Sequence, residues 1–342
     1  MGEVPDVTDG GSVEGIRAAS RRLVALDNDP AARPAGARSA VDQAAAAFAV
    51  VRHRLREGHD GRGRNGPGER AERRERLAAA AELAEVAGWL HFDAGRYRAA
   101  ARLETAALTW ARRAGDRATE LLTLQNAALR AGWIGHPRTE LAIARAVLDR
   151  RRLTPRLEAV FRIREARGLA ATGRATDAAR SFARARSLLL DGERPGDPPW
   201  VWWVTADEID GHQGGTYQKA GDWARAIPLL HRAALQQSGV TVGYSGIFGA
   251  RLLAAFLGAG AWREAVRTVE ELVPTVAGTG SGRTLELLRT AAAYTGRLPS
   301  AAPARMRDAL HWLGGTLPPA APQSDRMRSS VPVPPVGPRL NR

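Results

Sequence analysis

Five glycines, Gly95, Gly135, Gly173, Gly221 and Gly260, stand 40, 38, 48 and 39 residues apart by subtraction, each between stretches of helical apolar spacing. This recurrence constrains the fold most, because glycine enters the left-handed conformation that ends a helix without steric cost. The best-defined unit spans residues 81–116, AELAEVAGWLHFDAGRYRAAARLETAALTWARRAGD. In it Leu83, Val86, Ala87 and Leu90 fall at the i, i+3, i+4, i+7 spacing of a buried helical stripe. After the turn Asp93-Ala94-Gly95, the residues Ala99, Ala100, Leu103, Ala106 and Ala107 form an inner face small enough for close helix approach. One such hairpin cannot bury its apolar faces alone, so the copies are expected to stack.

Five residues after each turn glycine come Ala100, Glu140, Ala178, Ala226 and Ala265, and seven before it Gly88, Ala128, Ala166, Gly214 and Leu253. Small residues thus recur where paired helices cross, with Glu140 and Leu253 as the exceptions. Four residues before the glycine stand His91, Ala131, Leu169, Tyr217 and Phe256, mostly larger groups that can plug a hairpin. The pattern resembles the tetratricopeptide repeat, with a period longer than the usual length of about 34 residues. The fold it implies is all-α, a tetratricopeptide-like α-solenoid of about five degenerate helical hairpins.

In chain order the sequence predicts a disordered N-terminus (1–12), N-terminal helices (13–57, as 13–26 and 39–56) and a Gly-rich linker (58–68, GHDGRGRNGPG). The helical repeat array follows over 69–315, and a disordered Pro-rich C-terminal tail over 316–342. The segment DGERPGDPP (191–199) accounts for the longest spacing and reads as a hinge. One stretch departs from the pattern, EIDGHQGGTYQKAGDW (208–223). Gly211, Gly214 and Gly215 lie inside what should be a continuous helix, each costing about 1 kcal/mol against alanine. Unless packing compensates, that helix is expected to be kinked or weak.

The absence of cysteine excludes disulfides and thiolate metal sites. No apolar run approaches the roughly 18 residues of a membrane helix. Glu3, Asp6 and Asp9 stand where a signal peptide would be apolar, so a cytoplasmic protein without membrane contact is expected. The net charge of +14 invites a nucleic-acid reading, but Lys219 is the single lysine and the arginines are scattered rather than gathered on one element. Composition of a GC-rich genome explains them first.

The run AGTGSGRT (277–284) fails the phosphate-loop pattern at Ala277 and Arg283 and reads as a loop entering a helix. Glu208 and His212, at i and i+4, have metal-sharing spacing. Asp207 and Asp210 point to another side and no second cluster supplies ligands, so a polar helix face is the expectation and no metal is assigned. No nucleophile turn is present. Neither catalysis nor a cofactor is expected. Trp223 and Trp262, each two residues past a turn glycine, read as packing residues, whereas Trp203 in the cluster Trp200, Trp202, Trp203 is a candidate groove residue.

In tetratricopeptide arrays the first helix of each hairpin lines the concave face, and the resemblance therefore implies ligand or partner contacts among polar residues there. Gln125 and Asn126 in LTLQNAALRAG are the leading pair. Asn126 falls where peptide-binding arrays often carry an asparagine that holds the ligand backbone. Arg130, Arg162, Glu165 and Asp207 join them, with His91 a weaker member.

Several runs together carry a more specific resemblance: IRAASRRLVALDN (16–28), LAAAAELAEVAGWLHFDAGR (77–96), ELLTLQNAALRAG (120–132), IARAVLDRRRLTPRLEAVFRIREARGLA (143–170), ARSLLLDG (185–192), WVWWV (200–204) and GSGRT (280–284). Over residues 13–288 the chain resembles the sensor region of actinobacterial Xre-type (phage-repressor-like) transcriptional regulators, in which a helix-turn-helix head precedes a tetratricopeptide array. That head would need roughly 60 residues before Val13, and a recognition helix is not evident elsewhere. The resemblance therefore implies a headless, non-catalytic regulatory adaptor for specialised metabolism or development. Its groove would bind a peptide, a small ligand or a protein partner such as a helix-turn-helix regulator. Sequence-specific DNA binding alone is not expected, and a homodimer through an end helix is compatible with the pattern. Two other readings stay open. One is a basic nucleic-acid module acting through Arg52, Arg54, Arg56, Arg62, Arg64 and the tail. The other is an enzyme or accessory scaffold of a biosynthetic pathway.

Overall fold

The computed structural model describes residues 12–28, 39–57, 66–150, 152–237, 246–276 and 281–319. The described residues are almost entirely helical: α1 (Val13–Asn28), α2 (Ala40–Glu57), α3 (Pro67–Asp93), α4 (Tyr97–Ala114), α5 (Arg117–Trp133), α6 (Pro137–Arg150), α7 (Pro155–Ala171), α8 (Ala175–Leu189), α9 (Ala206–Lys219), α10 (Trp223–Gln237), α11 (Ile247–Ala259), α12 (Trp262–Val276), α13 (Gly282–Ala292) and α14 (Ala304–Thr316). Short 3-10 turns cover Pro199–Trp203 and Ala293–Arg297. Among the described residues no helix is long and apolar enough to cross a membrane. The expected N-terminal disorder, most of the glycine-rich linker with Arg62 and Arg64, residues 277–280 and nearly all of the tail lie outside the described residues.

The five turn glycines have φ of 78°, 87°, 83°, 75° and 70° in chain order, and each stands between consecutive helices. The residue after each glycine donates its N–H to a carbonyl one turn back. The acceptors are His91, Ala131, Leu169, Tyr217 and Phe256, at 2.8, 2.8, 2.9, 3.0 and 3.0 Å. This closure satisfies a carbonyl that would otherwise be orphaned at the helix end. The recurring position four residues before the glycine is thus the backbone acceptor of the turn.

Helix starts follow equally local rules. Pro67, Pro137 and Pro155 occupy first helical positions, where a missing N–H costs nothing. Thr154, Thr205 and Ser281 accept N–H bonds from Leu157, Glu208 and Thr284. Ser281 therefore makes the end of the glycine-rich run a helix cap. Pro67 draws the last two residues of the expected linker into α3. At the other end of its span α1 continues to Asn28, where Asp27 Oδ2 accepts a bond from Trp89 Nε1 at 3.2 Å.

The chain forms two compact units, residues 1–130 and 131–342. In the first, α1 and α2 pack on α3, and α3 on α4. Ile16, Leu23, Ala44, Val51, Leu83, Ala87, Leu90 and Leu103 share one core, with Phe48 and Trp110 in ring contact at 5.6 Å beside it. In the second unit α7/α8, α9/α10 and α11/α12 are packed hairpins. There α6 covers α7, successive first helices touch (α7 with α9, α9 with α11, α11 with α13), and α14 closes on α12 and α13.

The glycine-bearing helix α9 is continuous, because its neighbours occupy the space that side chains would fill. A Cβ at Gly211 would run into the Phe248 ring, one at Gly214 would lie 2.8 Å from Leu230 Cγ, and one at Gly215 would lie 3.2 Å from Arg251 Cδ. Close packing replaces lost helix propensity. Gly88 is different, since a Cβ there meets only ordinary contacts, the nearest at 3.5 Å from Leu103 Cβ. Gly88→Ala is expected to stabilise the protein by up to about 1 kcal/mol. Gly214→Ala should destabilise it by roughly 1–3 kcal/mol through overpacking. Urea unfolding followed by circular dichroism checks both signs.

Candidate functional site

The groups with the most unusual surroundings lie in residues 131–342. Helical spacing places Glu208, His212, Gly215 and Lys219 on one face of α9, and Arg164 and Arg167 on one face of α7. Glu140 on α6, Arg251 on α11 and Arg283 on α13 join them. Arg164, Arg251, Arg283 and Glu140 are only 2%, 7%, 3% and 1% exposed.

One ion pair and one histidine–carboxylate contact organise the cluster. Arg167 Nε donates to Glu140 Oε1 at 2.7 Å, and His212 Nε2 lies 3.1 Å from Glu208 Oε1. His212 also faces two guanidiniums, with Nε2 3.0 Å from Arg164 Nη1 and Nδ1 3.1 Å from Arg167 Nη1. Burial, and then the positive charge of Arg164, Arg167, Arg251 and Arg283, holds His212 neutral at pH 7. A neutral imidazole has one donor and one acceptor. We assign the proton to Nε2, which then donates to Glu208 while Nδ1 accepts from Arg167. Arg164 is left facing an N–H.

Among the described residues the carboxylates set against these cations are Glu140 and Glu208. Burial raises Glu208 to about 7 against the pull of Arg164, Arg283 and Arg167. Burial, then Arg167 and Arg283, pushes Arg251 down to about 9, which still leaves it charged at neutral pH. Arg251 donates to Gln218 Oε1 at 3.3 Å and lies over the Trp133 ring at 5.6 Å, but neither Arg251 nor Lys219 pairs with a carboxylate among the described residues. Lys219 has an exposed stem. Desolvation, and then the nearby Arg251 and Arg167, lowers its pKa.

This cluster forms one wall of a cavity of about 730 Å³, to which it contributes Glu140, Arg167, His212, Lys219 and Arg251. Ala170, Ala171, Ala175, Ala178, Ala179 and Phe182 supply an apolar wall, and Gln213, Thr216 and Tyr217 stand at the cavity as well. The volume falls within the range of small-molecule sites. Two hydroxyls of the lining are engaged within the fold: Thr216 donates to the His212 carbonyl at 2.9 Å, and Tyr217 accepts from Gln213 Nε2 at 3.2 Å.

The sequence-selected residues lie elsewhere. Gln125, Asn126 and Arg130 belong to the first unit. Gln125 Nε2 donates to Asn126 Oδ1 at 2.6 Å, and Asn126 Nδ2 to Glu85 Oε1 at 2.6 Å, while Arg130 holds Glu104 with two nitrogens at 2.8 and 2.6 Å. In the second unit Arg162 bonds Glu158 and Glu165, and Glu165 also accepts from Ser181 at 2.8 Å. Asp207 is in the first turn of α9, Trp203 ends a 3-10 turn, and His91 is buried with Nδ1 2.8 Å from the Ala87 carbonyl. None of these residues lines the cavity. Trp223 lies against Gly258, as a packing residue would. Three signals pointed to the cluster: Glu140 where alanine recurs, the i, i+4 spacing of Glu208 and His212, and the three glycines of α9.

No protein-family model matches the chain, and no curated protein matches it.

Glu85 gives a pH test of the first unit. Burial, opposed by the Asn126 bond and reinforced by Glu104, raises its pKa from 4.5 to about 7. A carboxyl raised on folding contributes stability that is fully present below its unfolded pKa and is lost as pH rises through about 7. Glu85→Gln keeps the acceptor for Asn126 and removes the charge. Expected is a gain of roughly 2–3 kcal/mol at pH 8 and almost none at pH 4.5, read by denaturant unfolding at both pH values.

Proposed function

We propose that this chain is a non-catalytic regulatory adaptor built on tetratricopeptide-like helical repeats, working in the cytoplasm and binding a small ligand in the cavity of residues 131–342. The observation that carries the reading is the cavity itself. It is of ligand size, one wall is apolar, and the other is a buried polar cluster whose charges do not cancel. Three packed hairpins with touching first helices favour the repeat interpretation. Resemblance to the sensor regions of Xre-type regulators supplies the regulatory role and suggests a helix-turn-helix protein as partner.

The nucleic-acid reading has less support. Arg54 pairs with Glu57 and Arg52 lies over Phe48, so part of the α2 basic face is internally occupied.

Ala179 is exposed on α8 and lines the cavity, so Ala179→Trp fills the cavity without disturbing a core position. Native mass spectrometry of the full chain, purified from its own host, is expected to show a small-molecule adduct that is absent from the variant. Crosslinked pull-downs should enrich a helix-turn-helix regulator with the unaltered chain. Absence of both the adduct and the regulator overturns the adaptor reading.

A further inference from the structure

We infer that the cavity of residues 131–342 recognises the oxyanion head, phosphate or carboxylate, of a small amphipathic molecule, with Arg251 and Lys219 as its principal cationic contacts. The inference rests on the adaptor reading for the location of the site and goes beyond it in naming the chemistry of the ligand.

The argument begins from charge. Arg167 is compensated by Glu140 and Arg225 by Asp222, both pairs at the cavity, and His212 is held against Glu208. Arg251 and Lys219 line the same cavity without a carboxylate partner among the described residues. Arg251 is buried, and its one side-chain bond there, 3.3 Å to Gln218, leaves most of its five N–H donors for other acceptors. A planar fork beside a point charge suits an oxyanion, which accepts two parallel bonds from the guanidinium and a third from the ammonium.

Geometry agrees. Gly215 has no side chain where Arg251 crosses α9, and a Cβ there would lie 3.3 Å from Arg251 Nη1. The guanidinium is therefore seated by the backbone of the helix that carries Lys219 and His212. Neutral His212 adds no further charge to a wall that is already cationic. The same lining includes the alanines and Phe182, an apolar surface, so a molecule that fills the cavity has an anionic end and an apolar body.

The test uses the intact, purified chain at pH 7. Inorganic phosphate and citrate are the two probes, each compared with sodium chloride at equal ionic strength, and the thermal midpoint is read. The expected result is a rise of roughly 2–4 °C with one or both probes at saturation. A response to phosphate alone assigns a phosphate head, to citrate alone a carboxylate, and to both a site for either oxyanion. Lys219→Met, at an exposed stem, and Arg251→Met should each weaken the response, and the double variant should lose it. Because Arg251→Met removes an uncompensated buried charge, its ligand-free midpoint is expected to equal or exceed that of the unaltered chain. Circular dichroism confirms that the variants are folded. If neither anion exceeds chloride, or if the double variant responds fully, the inference is overturned. A neutral or cationic adduct in the native mass spectrum would also overturn it while leaving the adaptor reading intact. Anion binding without any regulator partner would leave the inference standing and count against the adaptor.

Discussion

Helices that cross at glycine or alanine bring their backbones so close that any long side chain near the crossing must run past it. In the second unit this constraint decides both the packing and the placement of charge. A Cβ at Gly168 would lie 2.8 Å from Leu141 Cβ and 3.0 Å from the Pro137 carbonyl oxygen, so α6 and α7 meet backbone to backbone. The carboxylate of Glu140 occupies the space that a side chain on Gly132 would need. Arg251 likewise lies over Gly215. Small residues that would weaken an isolated helix thus create the channels along which charged side chains become buried.

Burying those charges has electrostatic consequences that the fold only partly offsets. Two unit charges about 4 Å apart interact by about 4 kcal/mol at an effective dielectric of 20. The Arg167–Glu140 pair exploits that attraction, but the mutual repulsion of Arg164, Arg167, Arg251 and Arg283 works on the same scale. The cluster responds where it can. His212 stays neutral, and Arg164 and Arg251 hold their protons less tightly than free guanidiniums. Arg251 gains more from an anion than an exposed arginine would, because it is already buried and held in place.

Much of the fold was legible because it is local. Glycine turns, proline starts and threonine or serine caps are each settled within a few residues, and the sequence carries them openly. The sequence left open whether packing would compensate for the glycines of α9, because the compensating Phe248, Leu230 and Arg251 lie on other helices. The site was less legible for a related reason. Arginine supplies all but one of 50 basic residues, and periodicity alone does not reveal which arginines turn inward at a crossing. Glu140 could be recognised as an anomaly at an alanine position, yet its partner Arg167 lies 27 residues away on the next helix. Gln125 and Asn126 were read as ligand contacts on a first helix, whereas in the fold Asn126 donates to Glu85, 41 residues away.

The contrast between these two polar interiors is the basis for choosing a site. In the first unit Asn126 caps Glu85, Gln125 caps Asn126, and Arg130 grips Glu104, so donors and acceptors are matched within the fold. Such a network fixes helix register, and its carboxylates resist ionisation because burial outweighs their bonds. Around the cavity of the second unit the balance is different: among the described residues the cations exceed their carboxylates, and Arg251 and Lys219 line the cavity without a carboxylate partner. Matched polar groups explain how a helical array holds its register. Unmatched ones that line a cavity are the feature on which the proposed oxyanion ligand rests, because their sign favours an anion.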